Sequence, residues 1–222
     1  MKNISTDTLE NSSILWDSLW TNKFTNFHRR FTVSQPVENF VRHQLYFKAI
    51  NKLLKGSCVG KNILELGCGT GSNSLYLAST RQVNSVTLLD FSPEAMTNVK
   101  TETYPCNVKK ISKDLLKFSP TKRYDFVHST GLIEHFSGKE RLYAIKKHSQ
   151  CARPGGLVMI WVPIFSPTFN CIGMFNRWIG IKELPFTKIE MWVLCLQSNL
   201  EIINEGETAF GALYGVLCRK IG

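Results

Sequence analysis

Behind Pro36, apolar residues recur at Val37, Val41, Leu45, Ala49, Ile50, Leu53 and Leu54, the spacing of one helical face, and predict a helix over about 36–55. Past Gly56, Ser57 and Gly60 the pattern changes to short apolar runs separated by helical stretches. Runs at 63–66, 85–89, 108–111, 124–128 and 157–162 read as strands, and two more at 200–204 and 213–218 close the chain. Strands alternating with helices predict a doubly covered, mostly parallel sheet. Ser92-Pro93-Glu94 supplies a cap oxygen followed by proline, and Ser137-Gly138-Lys139-Glu140 fits a capping box. Residues 1–35 are polar with interspersed aromatics (Trp16, Trp20, Phe24, Phe27, Phe31) and read as an arm or lid. An aromatic-rich insertion follows Pro163, at about 164–198. No internal repeat and no long linker divides 36–222, so it reads as one domain.

Composition narrows the class. With 43% hydrophobic and 20% charged residues in 222, the chain is globular and long enough for a core that needs no staples. Seven scattered Cys without a C-x-x-C fit neither a disulfide framework nor a structural zinc site and point to a reducing compartment. The first residues hold no apolar stretch of signal-peptide length and no apolar run is long enough to span a membrane, so a cytoplasmic location is expected. The net charge of +10 raises the local concentration of any anionic partner without choosing among them. Asp is scarce, and three of the five, Asp90, Asp114 and Asp125, fall at ends of predicted strands.

The sharpest motif is Glu65-Leu66-Gly67-Cys68-Gly69-Thr70-Gly71, an apolar strand running into alternate glycines and then into Ser72-Asn73-Ser74-Leu75. Glycines let a ligand approach the backbone, and the N–H groups of the following helix start point at it. A dinucleotide fingerprint needs a small residue at 72 of the glycine or alanine type, where this chain has Ser72, so a nicotinamide cofactor is disfavoured. Asp90 closes the next strand, placed to accept both hydroxyls of a ribose; Asp114 closes the one after, within reach of an exocyclic amine. Asp125, at a strand entrance, reads as structural, and His128, inside a strand, reads as core.

On these residues, together with Arg153-Pro154-Gly155-Gly156 before the fifth strand, the chain resembles the class I S-adenosylmethionine-dependent methyltransferases of small-molecule type over roughly 36–220. The resemblance implies a Rossmann-like seven-stranded sheet with an antiparallel last strand. It further implies that Glu65 and the backbone of Gly67, Cys68, Gly69 and Gly71 hold the methionine end of S-adenosylmethionine, and that Asp90 binds the ribose. Phe91 would pack on adenine, Asp114 and the Leu115 amide would read its edge, and Ser129 and Thr130 would lie near the sulfonium. S-adenosylhomocysteine is the implied product.

Methyl transfer is an in-line displacement helped chiefly by positioning, with a base added where the acceptor is a hydroxyl. The segment Ser129-Thr130-Gly131-Leu132-Ile133-Glu134-His135-Phe136 lacks the Pro-Pro-aromatic element of adenine and glutamine methyltransferases and resembles that of small-molecule O-, N- and C-methyltransferases. His135 is the candidate general base and Glu134 its orienting partner. Some quinone-precursor and RNA-end enzymes of the family bind a divalent metal through Glu-x-x-Glu-His; Gly131 stands where the first Glu would be, so no metal is expected. Aromatics of the arm and the insertion suggest an apolar or ring-bearing acceptor. Competing readings are an RNA methyltransferase exploiting the basic surface and a non-catalytic cofactor-binding partner subunit. Nothing in the sequence fixes the oligomeric state.

Overall fold

A computed structural model of the protein describes residues 42–170 and 183–222. The expected arm at 1–35 and the middle of the insertion lie outside the described residues. A π-helical turn at Arg42–Phe47 leads into α1 (Lys48–Leu54), so the described part of the predicted first helix begins irregularly and ends at Lys55 in a left-handed conformation. Then follow β1 (Asn62–Leu66), α2 (Ser72–Arg81), β2 (Ser85–Asp90), α3 (Pro93–Asn98), β3 (Asn107–Ser112), β4 (Tyr124–Thr130), α4 (Lys139–Cys151) and β5 (Ala152–Pro163). The chain closes with α5 (Lys188–Leu196), β6 (Leu200–Thr208) and β7 (Leu213–Lys220).

The seven strands form one sheet in the order β3-β2-β1-β4-β5-β7-β6. Pairings from β3 through β5 are parallel; β7 runs antiparallel to both β5 and β6. This is the expected architecture. The strand order reverses between β1 and β4, so the crevice beyond their carboxyl ends is where such a sheet takes ligands.

Central strands carry apolar side chains to both faces with period two. Ile63, Phe126, Met159 and Trp161 face the layer containing α1 and α2, whereas Leu64, Val127, Val158, Ile160 and Val162 face the layer containing α4 and α5. Trp161 opposes Gly215 of β7, and a Cβ there would lie 2.4 Å from the indole, so the glycine makes room for the ring.

Capping chemistry holds at one helix and fails at another. Ser92 caps α3 by accepting from the Ala95 N–H at 3.1 Å. The expected box at Ser137–Glu140 does not form: α4 starts from Gly138 at φ 54°, without a side-chain cap, and the Glu140 N–H donates instead to the Ser137 carbonyl. With φ 54° and ψ −126°, Gly138 itself takes the N-cap position that the motif assigns to Ser137. The later part of the expected insertion is regular structure, because α5 packs under the sheet through Met191 and Cys195. Asp125 is structural, as expected: it accepts from Asn62 N at 2.9 Å and from Arg153 Nε at 2.6 Å, joining the starts of β1, β4 and β5.

Candidate active site

From Leu66 the chain turns through Gly67, Gly69 and Gly71, at φ 65°, 51° and 73°, a region that favours glycine. Space demands glycine too: a Cβ would lie 2.7 Å from Leu132 Cδ1 at position 67 and 2.5 Å from the Tyr104 hydroxyl at position 71. Hydrogen bonds fasten the turn at Cys68, Gly69 and Gly71. The Cys68 N–H donates to the Leu89 carbonyl at 3.0 Å, the Gly69 N–H to Asp90 Oδ2 at 2.8 Å, and the Gly71 N–H to the Cys68 carbonyl at 2.8 Å. Tyr104 donates its hydroxyl to the Gly71 carbonyl at 2.6 Å. Gly71 is the N-cap of α2 and offers no side chain to its first turn, so the positive end of that helix opens on the bend.

Glu65, next to last in β1, is fully buried and accepts from Ser74 N at 3.2 Å and Asn73 Nδ2 at 3.3 Å. Burial pushes its carboxyl up to about 7, more than the hydrogen bonds from Ser74 and Asn73 pull it down. Asp90 also accepts from the Ser92 N–H at 3.0 Å. A carboxylate offers about four acceptor sites, so bracing the turn is compatible with accepting from ligand hydroxyls. Phe91 is half-buried beyond it, and Asp114, half-buried beyond β3, accepts from Leu116 N at 2.8 Å. The Leu115 side chain is in the core, so only its backbone is placed for a ligand. The same holds for Cys68, whose buried thiol is held well above its ordinary pKa.

β4 contributes two buried polar pairs. His128 Nε2 meets Ser74 Oγ at 3.0 Å, and Ser129 Oγ meets Nε2 of His148 at 2.8 Å. Burial holds both imidazoles neutral, pushed down to about 3 and about 4, with His148 adding to the effect on His128. His128 is therefore core, as expected. Ser129 spends its hydroxyl inside the protein, which leaves its backbone as the part that can face a cofactor. Thr130, the last residue of β4, shares a hydrogen bond with the Tyr46 hydroxyl, which brings the π-helical turn over the strand end.

After β4, Gly131 turns the chain at φ 67° and Ile133–His135 form a single 3-10 turn. Glu134 is 3% exposed, and burial pushes its carboxyl up to about 8, with Glu183 adding to the rise and Arg141 opposing it. His135 is half-buried. The Leu184 N–H donates to the Glu134 carbonyl at 2.9 Å, which brings Glu183 to the same place. Glu134, His135 and Glu183 each hold a ligand atom within 4.8 Å of the others. Arg141 anchors this corner, donating to the Phe136 carbonyl (3.3 Å), Glu190 Oε1 (2.6 Å) and the Leu184 carbonyl (2.6 Å) while stacking over Phe186. Sequence reasoning passed over Tyr46, Tyr104, Arg141 and Glu183, whose roles arise from contacts between distant segments and leave no local pattern.

A glycine turn thus lies on a helix start, with a buried acid before it and two acids at the next strand ends. Residues 63–156 match the family model of a methyltransferase domain. Malonyl-acyl-carrier protein O-methyltransferase 2 of Ilyobacter polytropus is 31% identical over 99 residues, 44% of this chain and 38% of that protein. A Mus musculus protein assigned as tRNA methyltransferase 9B is 32% identical over 117 residues, 51% of this chain and 24% of that protein. The chain thus spans well under half the length of these relatives. The crystal structure of magnesium protoporphyrin IX methyltransferase from Synechocystis PCC 6803 with bound S-adenosylhomocysteine superposes with a TM-score of 0.73, covering 94% of this chain and 99% of that one at 17% identity. Residues 63–156 thus match a methyltransferase domain, and the chain shares the fold of a methyltransferase that binds S-adenosylhomocysteine.

Proposed function

We propose that the chain transfers a methyl group from S-adenosylmethionine to an O, N or C atom of a small-molecule acceptor. The observation that carries this reading is the turn at 67–71, closed against side chains by Leu132 and Tyr104 and fastened by Asp90, with Glu65 buried beneath it. The bound cofactor would supply an electrophilic methyl on a sulfonium. Glu65 and the backbone of Gly67, Cys68, Gly69 and Gly71 would hold its methionine end, Asp90 its ribose, and Phe91, Asp114 and the Leu115 backbone its adenine. The Ser129 backbone lies on the side of the sulfonium. Glu134 and His135 are the acceptor-side catalytic pair: the half-buried His135 ring takes the acceptor proton and the buried Glu134 orients it.

Among the described residues no helix is long and apolar enough to cross a membrane. A cytoplasmic location and an apolar or ring-bearing acceptor complete the reading. Titration calorimetry with S-adenosylhomocysteine tests it. Asp90→Ala should weaken binding by about one to two orders of magnitude, the loss of a charge-assisted contact. His135→Ala should lower turnover with little change in that affinity. Wild-type protein that takes up no S-adenosylhomocysteine would end the proposal.

RNA is the second acceptor to test, favoured by the net charge of +10 and by the tRNA-type relative. An RNA substrate would lose affinity steeply with salt, whereas an uncharged small acceptor would scarcely respond.

A further inference from the structure

We infer that Glu134, His135 and Glu183 form a binding site for a divalent cation at the acceptor side of the crevice. The three ligand atoms lie within 4.8 Å of one another, a spread compatible with one centre about 2.0–2.6 Å from each. They come from two segments far apart in sequence, joined by the backbone hydrogen bond from Leu184 to Glu134. Arg141 holds both segments from beneath, through the carbonyls of Phe136 and Leu184.

A second observation points to a ligand. Glu134 is 97% buried by its 3% exposure, and among the described residues its Oε2 meets no hydrogen-bond partner. A buried carboxylate oxygen without a donor is costly, and the cost rises with a second carboxylate beside it. Arg141 directs Nε, Nη1 and Nη2 to Phe136, Glu190 and Leu184. A cation in the cluster would satisfy the orphaned oxygen.

Two carboxylates and an imidazole suit a hard or borderline ion such as Mg²⁺ or Mn²⁺ rather than a thiophilic one. Three protein ligands leave coordination positions for water or for an oxygen of the acceptor. The site therefore selects acceptors that present oxygen near the methyl, and His135 acts as a ligand when the cation is held. The sequence alone does not disclose it, because Gly131 occupies the local position for a second acid and Glu183 comes from beyond β5. The inference deepens the proposed function and rests on it only for where the acceptor lies.

The test uses the full chain and Mn²⁺, followed by loss of the electron paramagnetic resonance signal of the free ion, with and without S-adenosylhomocysteine. Wild type should take up a single Mn²⁺, and Glu183→Gln should weaken uptake about tenfold or more, at least what a lost outer-sphere partner costs. The same variant should keep its thermal midpoint and its S-adenosylhomocysteine affinity, showing that fold and cofactor site are intact. No uptake by wild type up to millimolar Mn²⁺, or equal uptake by the variant, overturns the cation site. Absent S-adenosylhomocysteine binding alongside normal Mn²⁺ uptake overturns the proposed function and leaves the cation site standing.

Discussion

Gly71→Ala strikes the turn at 67–71 at its tightest point. The residue sits at φ 73°, where an L side chain costs about 1–2 kcal/mol. Its new Cβ would stand 2.5 Å from the Tyr104 hydroxyl and 3.1 Å from Leu88 Cδ1. Leu88 is fully buried, so Tyr104 is the group that must move, giving up its hydrogen bond to the Gly71 carbonyl, worth about 1 kcal/mol. The sum is about 2–4 kcal/mol once some strain against Leu88 is included. For a chain of this size that lowers Tm by about 5–15 °C in a thermal unfolding scan. Calorimetry should show S-adenosylhomocysteine affinity falling in the same variant. Tyr104→Phe supplies the control: it loses the hydrogen bond alone, and combined with Gly71→Ala it removes the oxygen that clashes. The double variant should therefore lose less than the two single losses added, with a coupling of about 1 kcal/mol. Strict additivity, or an unchanged Tm for Gly71→Ala, would show that Tyr104 does not shape the turn.

Glu65 predicts a pH dependence. Its folded carboxyl is raised from 4.5 to about 7, so the folded chain holds this proton more tightly than the unfolded chain does. Stability from this group is full below pH 4.5 and lost as pH rises to about 7, and Glu65→Gln should flatten that part of the unfolding free energy measured against pH. Cofactor affinity should run the other way, strengthening through pH 7 as the carboxylate ionises to meet the methionine ammonium. Gly215→Ala should cost about 1–3 kcal/mol or more in denaturant unfolding, because its Cβ would press on the fully buried Trp161 ring.

The strands and the glycine turn at 67–71 were legible because both are written locally. Runs such as Val86-Thr87-Leu88-Leu89 and Leu157-Val158-Met159-Ile160 are apolar throughout, as strands covered on both faces must be, and they fall in β2 and β5. The alternate glycines at 67–71 reflect a backbone that no other residue fits. Helix α5 carried a local signal that went unused: Thr187 accepts from the Glu190 N–H, the two ends of a capping box, amid the aromatics that suggested a lid. Ser137 shows the converse, a correct motif overruled by a left-handed glycine inside it. Past the end of the fourth strand the sequence offered Glu134 and His135 and nothing of Glu183 or Arg141. Those two arrive through Leu184 and Phe186, and only the folded chain sets them beside the turn after β4.

The ties on the 67–71 bend also bear on kinetics. Its backbone is already held by Leu89, Asp90 and Tyr104, so docking an adenosyl ligand asks for little ordering of the bend. Association should then approach the rate of encounter rather than wait on a rearranging loop, and differences among cofactor analogues should appear mainly in how quickly each one leaves.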